Sequence, residues 1–166
     1  MKTATLGCIL FALLADASAL RAQLPVPFPP PPLIRPPTTP TAQRNALSVL
    51  RSQVDWFRNA TRTAPGYATG GYDEVRRQFD LLRAAYDQFK ATLTPNQLAS
   101  GANELAELEA GLDILQEAFD EYQQDVAAGR SQAAAFRSLC RVLDEAAGLW
   151  LQELNKVAEK LRVGFP

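Results

Sequence analysis

The chain has 166 residues, a net charge of −1 and no histidine. The absence of histidine excludes every site that needs imidazole. These sites are Ser-His-Asp and Cys-His catalytic sites, the usual zinc sites, His-ligated haem and the Glu-x-x-His sites of di-iron bundles. The balanced charge gives no indication of a nucleic-acid partner, and the sequence contains no cofactor or metal motif. We therefore expect no nucleic-acid partner, no cofactor and no metal.

The first 19 residues have the pattern of a secretory signal peptide. Lys2 gives a positive start, residues 6–14 form an apolar run, and residues 17–19 are small, as signal peptidase requires. We expect cleavage after Ala19, or alternatively after Ala22, and a secreted or periplasmic protein. The mature chain should have no transmembrane segment, since crossing a bilayer takes ~20 apolar residues.

The two cysteines bear on the compartment and on the core. A lipoprotein is the less favoured alternative, because Cys8 precedes most of the apolar run whereas a lipobox cysteine follows it. Removal of the signal would leave Cys140 alone, so the mature fold must be held by its core without an intramolecular disulfide. We expect Cys140 to be a small buried hydrophobe, with an intermolecular disulfide as the alternative.

Residues 20–41 form a proline-rich region that should be a disordered, extended arm. Proline at this density favours polyproline II, which is a spacer of about 3.1 Å per residue. The alternative is a docking peptide for an aromatic groove, which Arg35 beside prolines suggests. We place the folded domain at residues 42–166.

Apolar residues in this domain recur at alternating spacings of three and four, which puts them on one stripe of an α-helix. The pattern predicts an all-α fold, namely an antiparallel four-helix bundle with coiled-coil-like packing. Its helices should run from Ala42 to about Thr63, from Tyr72 to about Leu93, from the turn at residues 94–97 to about Val126, and onward from Ser131. The principal stripe residues are Leu47, Leu50, Val54, Phe57, Tyr72, Val75, Phe79, Leu82, Tyr86, Phe89, Leu93, Leu98, Leu105, Leu108, Leu112, Leu115, Phe119, Tyr122, Val126, Phe136, Leu139, Leu143, Ala146, Trp150, Leu154, Val157 and Leu161.

Turn signals separate these helices. Residues 64–66 and the Gly70-Gly71 pair break the first helix from the second. Thr94 offers an N-cap hydroxyl three residues before Gln97, so this short turn should make helices two and three antiparallel neighbours. Val142 and Leu149 widen the apolar face of helix four, which we therefore expect to be the most buried helix.

The same turn carries a family resemblance. Residues 93–97, Leu-Thr-Pro-Asn-Gln, are similar to the Leu-Thr-x-x-Gln signature of the periplasmic Spy and CpxP proteins, which are small all-helical chaperones and stress sensors. The resemblance covers these five residues, and the second copy that family members usually carry is absent. It implies an exported helical protein that acts through its surface, and a chaperone of this kind would need an exposed concave apolar surface.

Charge is distributed along helix edges. Helix three carries many carboxylates and no lysine or arginine, and its acids should form a solvated face. Basic residues recur every seven residues on the edges of helices one and two: Arg44, Arg51 and Arg58, then Arg76, Arg83 and Lys90. Two basic edges that faced each other would repel, so the basic edges of helices one and two should both turn toward other elements. Acidic helix three is an available partner for them. The alternative is an anion- or partner-binding ridge for phosphate-bearing envelope lipids or polyanions.

Together these features predict a non-enzymatic exported protein that acts by binding a protein or an anionic envelope component. Its role would be a cell-envelope interaction or a structural one. The sequence does not decide whether the protein is a monomer or a homo-oligomer. The first alternative is a chaperone or stress factor like Spy and CpxP. The second is a histidine-free all-helical enzyme of the chorismate-mutase type, which needs several cations converging on one pocket.

Overall fold

The computed structural model describes residues 39–67 and 69–163, and within these ranges the fold is all-α. The helices are α1 (Pro40–Thr63), α2 (Gly71–Ala91), α3 (Pro95–Ser100), α4 (Ala102–Ala127) and α5 (Gln132–Lys160), with a short 3-10 turn at Ala64–Gly66 after α1. The signal-peptide prediction and most of the proline-arm prediction concern residues 1–38, which lie outside the described residues.

Capping explains where two of these helices begin. The Thr39 hydroxyl accepts a hydrogen bond from the Ala42 N–H at 3.1 Å, and Pro40 takes the first helical position, two residues before the expected start. Thr94 and Gln97 form the expected capping box at the start of α3, each side chain satisfying a backbone N–H of the other residue. Local sequence therefore fixes both helix starts.

Gln97 also joins the elements that meet at this end of the helices. Its Oε1 accepts from Gln43 Nε2 at 2.8 Å, and its Nε2 donates to the Leu161 carbonyl at 3.1 Å. Gln43 in turn donates to the Thr92 carbonyl at 2.9 Å. Two amide side chains, those of Gln43 and Gln97, thus connect the start of α1 and the ends of α2 and α5, an arrangement that we call the glutamine junction.

The long helices pack side by side in chain order. α1 packs against α2 and α5, and α5 packs against α4. Side chains of α2 reach α4 at both ends: the Tyr72 ring stacks on Tyr122 at 4.9 Å, and the Tyr86 hydroxyl donates to the Leu105 carbonyl at 3.2 Å. Since residue 72 meets the end of α4 and residue 86 meets its start, α2 and α4 run antiparallel, as the short turn predicted.

Most of the stripe residues are buried in one core, and the others are partly buried against it. Phe57, Phe79 and Phe119 are completely buried at its centre, and their rings follow one another at centroid distances of 5.9 and 5.3 Å. Cys140 is a buried free thiol, as expected, and burial raises its pKa to about 11. The heptad pattern therefore identified the core face correctly.

Two expectations about the helices are wrong. The third predicted helix is divided at Gly101 into α3 and α4. Leu161 packs against this glycine so closely that a Cβ at residue 101 would lie 2.7 Å from its Cδ2. Val142 and Leu149 do not widen the buried face of α5, since their exposed fractions are 40% and 64%.

Candidate functional site

A groove lies at the end of the described helices where α2 and α5 begin. Its cavity volume is about 510 Å³, which lies within the range of about 300 to 1,000 Å³ that is usual for small-molecule sites. It is lined by Pro65, Tyr67, Thr69, Gly70, Gly71, Tyr72, Asp73, Tyr122, Gln132, Ala133, Phe136 and Arg137. We call it the aromatic groove.

Two glycines shape one wall of the aromatic groove. Gly70 has φ +74°, a left-handed conformation that glycine adopts without strain, and it precedes the first residue of α2. At Gly71 a Cβ would lie 2.7 Å from the Ala64 carbonyl oxygen and 3.1 Å from the Phe136 ring. The pair therefore allows α2 to start directly against the end of α1 and against α5.

Three aromatic side chains from different helices form the other wall. Tyr72 stacks on Tyr122, and both rings meet Phe136 edge-on at 6.4 and 6.1 Å. The Tyr72 hydroxyl accepts a hydrogen bond from Gln123 Nε2 at 3.2 Å, which holds the ring in place. These contacts give the groove a preformed apolar wall from α2, α4 and α5.

Among the described residues, one charge of each sign lies at the rim of the groove. Asp73 lies in the first turn of α2, where the positive end of the helix dipole stabilises a carboxylate. Arg137 lies in the second turn of α5, and it is exposed. Neither Asp73 nor Arg137 forms an ion pair with another described residue.

The basic edge of α1 faces α5. Arg58 Nε donates to Asp144 Oδ1 at 2.9 Å, Arg62 shares the same carboxylate at 3.1 Å, and Arg51 donates to the Asn155 side chain. Burial alone would raise the pKa of Asp144, but hydrogen bonds from Arg62 and Arg58 outweigh burial and hold that pKa below its ordinary value. The partner of this edge is thus α5, and not the acidic helix that the sequence suggested.

The basic edge of α2 faces α4. Lys90 pairs with Glu109, and the Arg76 guanidinium lies 5.0 Å from the centroid of the Phe119 ring. Arg83 is exposed and lies 5.9 Å from the Phe79 ring centroid. With Arg44 exposed at the start of α1, the six basic residues do not converge on one pocket.

Apolar side chains are also exposed away from the groove. Trp56 is 64% exposed and Val49 is 48% exposed, both on α1, and Leu81 on the neighbouring α2 is 40% exposed. On α4, Ile114 is 55% exposed. Scattered exposed apolar residues are normal, but an exposed tryptophan is characteristic of binding surfaces.

The acidic residues of α4 are spread along the helix. Glu104 pairs with Lys160, and Glu109 with Lys90. Within residues 39–67 and 69–163, no three Asp, Glu or Cys side chains are grouped so that they could hold a metal ion. In the same ranges, no helix combines the length and the apolarity needed to cross a bilayer.

Comparison with known proteins adds no assignment to this geometry. No protein-family model, no curated protein and no solved structure matches the chain. The sequence had identified Gly70-Gly71 only as a break and Tyr72 and Phe136 only as core residues. It gave no indication of Tyr67, Asp73 or Arg137, because their shared location depends on how two distant turns meet.

Proposed function

We propose that the protein is a non-enzymatic binding protein that works outside the cytoplasm, and that its ligand binds in the aromatic groove. The scaffold would be an antiparallel four-helix bundle of α1, α2, α4 and α5. Export is proposed from the signal-peptide pattern of residues 1–19.

The observation that carries this proposal is the open cavity of about 510 Å³ with its wall of Tyr72, Tyr122 and Phe136. A wall of packed rings offers a rigid apolar surface, so a ligand loses little free energy in ordering the site. The charged rim then provides orientation, as polar groups do in other small-molecule sites.

A binding role is favoured over an enzyme of the chorismate-mutase type. That chemistry needs several cations around one substrate, whereas among the described residues Arg137 is the one basic side chain that lines the aromatic groove. The basic edges are also a weaker choice of site than the groove, since Arg58 and Lys90 already pair with carboxylates of the bundle.

The proposal is tested with the neutral fluorescent probe N-phenyl-1-naphthylamine, whose emission rises in apolar sites. Ala133 is exposed on the groove wall, so Ala133→Trp should fill the cavity and weaken probe binding by more than about tenfold. Ala84→Trp, at an exposed helical position of α2 outside the groove, is the matched control. Circular dichroism melts should be the same for all three proteins.

The result that would overturn this assignment is unchanged probe binding in Ala133→Trp. A second candidate function, a chaperone that holds unfolded clients, is favoured by the exposure of Trp56, Val49 and Leu81. If Ala133→Trp still suppressed the aggregation of a chemically denatured enzyme, clients would bind at those exposed side chains instead of in the groove.

A further inference from the structure

We infer that the aromatic groove selects small amphipathic anions, molecules that join a flat apolar body to one carboxylate, sulfonate or similar group. This inference rests on the proposed function and specifies the chemical class of its ligand. It follows from two features of the groove, which are the shape of its apolar wall and the imbalance of charge at its rim.

The apolar wall fits a flat body. The Tyr72 and Tyr122 rings lie within 22° of parallel, and Phe136 closes against them at steep interplanar angles of 62° and 66°. Aromatic faces and edges arranged in this way offer stacking and edge-on contacts to a planar ligand. A ligand with a compact charged body would gain little from this wall.

The rim favours a negative group. Asp73 is already stabilised by the first turn of α2, so its charge is partly compensated within the protein. Arg137 has no acidic partner among the described residues. An anion beside Arg137 would supply that partner and would accept hydrogen bonds from the guanidinium.

Two probes with one carbon skeleton separate shape from charge. N-phenyl-1-naphthylamine is neutral, and 1-anilinonaphthalene-8-sulfonate adds one sulfonate to the same rings. Fluorescence titration of the purified protein should show Arg137→Gln weakening the sulfonate probe by about three- to tenfold, the range expected for one partly exposed charge-assisted contact. The same change should alter the affinity for the neutral probe by less than about twofold.

Two further variants make the expected signs specific. Asp73→Asn removes a negative charge from the rim, so it should strengthen the sulfonate probe by about two- to threefold and leave the neutral probe unchanged. Arg141→Gln removes the same charge from an exposed position of α5 that does not line the groove. It should have little effect on either probe, because salt screens charges that do not contact the ligand.

The outcomes distinguish this inference from the proposed function. If the neutral probe is lost in Ala133→Trp but Arg137→Gln and Arg141→Gln affect the sulfonate probe equally, the groove binds ligands and the charge preference is refuted. If neither probe responds to Ala133→Trp, the groove is not the binding site and both proposals fail. Loss of both probes in Arg137→Gln would also overturn the inference, since it would show that Arg137 shapes the groove and does not select charge.

Discussion

A glycine at the contact between α4 and α5 allows a sharp test of the packing. At Gly111 a Cβ would lie 2.6 Å from Cδ1 and 3.3 Å from Nε1 of Trp150. The same indole Nε1–H donates to the Leu108 carbonyl at 2.8 Å, and the hydrogen bond is buried. We therefore expect Gly111→Ala to displace the indole and to destabilise the protein.

The expected magnitude combines three contributions. Replacing a mid-helix glycine by alanine alone would stabilise the helix by about 1 kcal/mol. Overpacking costs about 1 to 3 kcal/mol, and weakening the buried hydrogen bond of Trp150 adds roughly another 1 kcal/mol. The net loss should be about 2 kcal/mol, which for a domain of this size lowers Tm by roughly 8 °C.

Gly148 on α5 provides a matched control, because the three atoms nearest to its added Cβ belong to the Arg58 guanidinium and lie at ordinary contact distances of 3.4 Å or more. Gly148→Ala should therefore stabilise the protein by up to about 1 kcal/mol. Both variants are measured by urea unfolding, alone and combined with Trp150→Ala, which removes the indole atoms that the new Cβ meets. The packing at Gly111 is refuted if Gly111→Ala is as stabilising as Gly148→Ala, or if Trp150→Ala does not reduce its cost.

Two further predictions concern the core and the dependence of stability on pH. Phe119→Ala should destabilise the protein by about 3 to 5 kcal/mol, because Phe119 is completely buried between aromatic rings. Glu117→Ala, at a neighbouring exposed position, should be nearly neutral. Equal costs of the two changes in urea unfolding would mean that the buried face of α4 is misassigned. Arg62 and Arg58 lower the pKa of Asp144 in the folded state, so the ionised Asp144 stabilises the fold. This stabilisation is complete above the pKa that Asp144 has in the unfolded chain, and it is lost as pH falls through the lower pKa that Asp144 has in the folded state. Asp144→Asn should therefore reduce the loss of stability below about pH 4, and an unchanged urea midpoint–pH profile would contradict this.

Hydrophobic periodicity predicted the core because each position on a helix faces a fixed direction. It failed at the margin of the stripe, where Val142 and Leu149 have the spacing of buried residues but lie outside the packed face. It also did not reveal the break at Gly101, because Leu98 and Leu105 are seven residues apart and keep the same face on either side. The close approach of Leu161 that explains this glycine comes from the far end of the chain.

The charged edges and the groove illustrate a second limit. A heptad assigns Arg58 to one edge of its helix, but the neighbour along that edge depends on the hand in which the helices are arranged. In the structure the neighbour is α5, and its Asp144 forms the ion pair with Arg58. The groove likewise needs Gly71 and Arg137 to line the same cavity, although more than 60 residues separate them in the sequence.

The glutamine junction has a consequence for how the protein can be handled and presented. Because Gln97 ties residue 43 to residue 161, the backbone enters and leaves the helices at the same end. The aromatic groove lies beyond the other end of α1, whose 24 residues span roughly 36 Å. A bead, dye or fused domain attached beside Thr39 or Val163 would therefore project away from the groove and leave its mouth open to solvent.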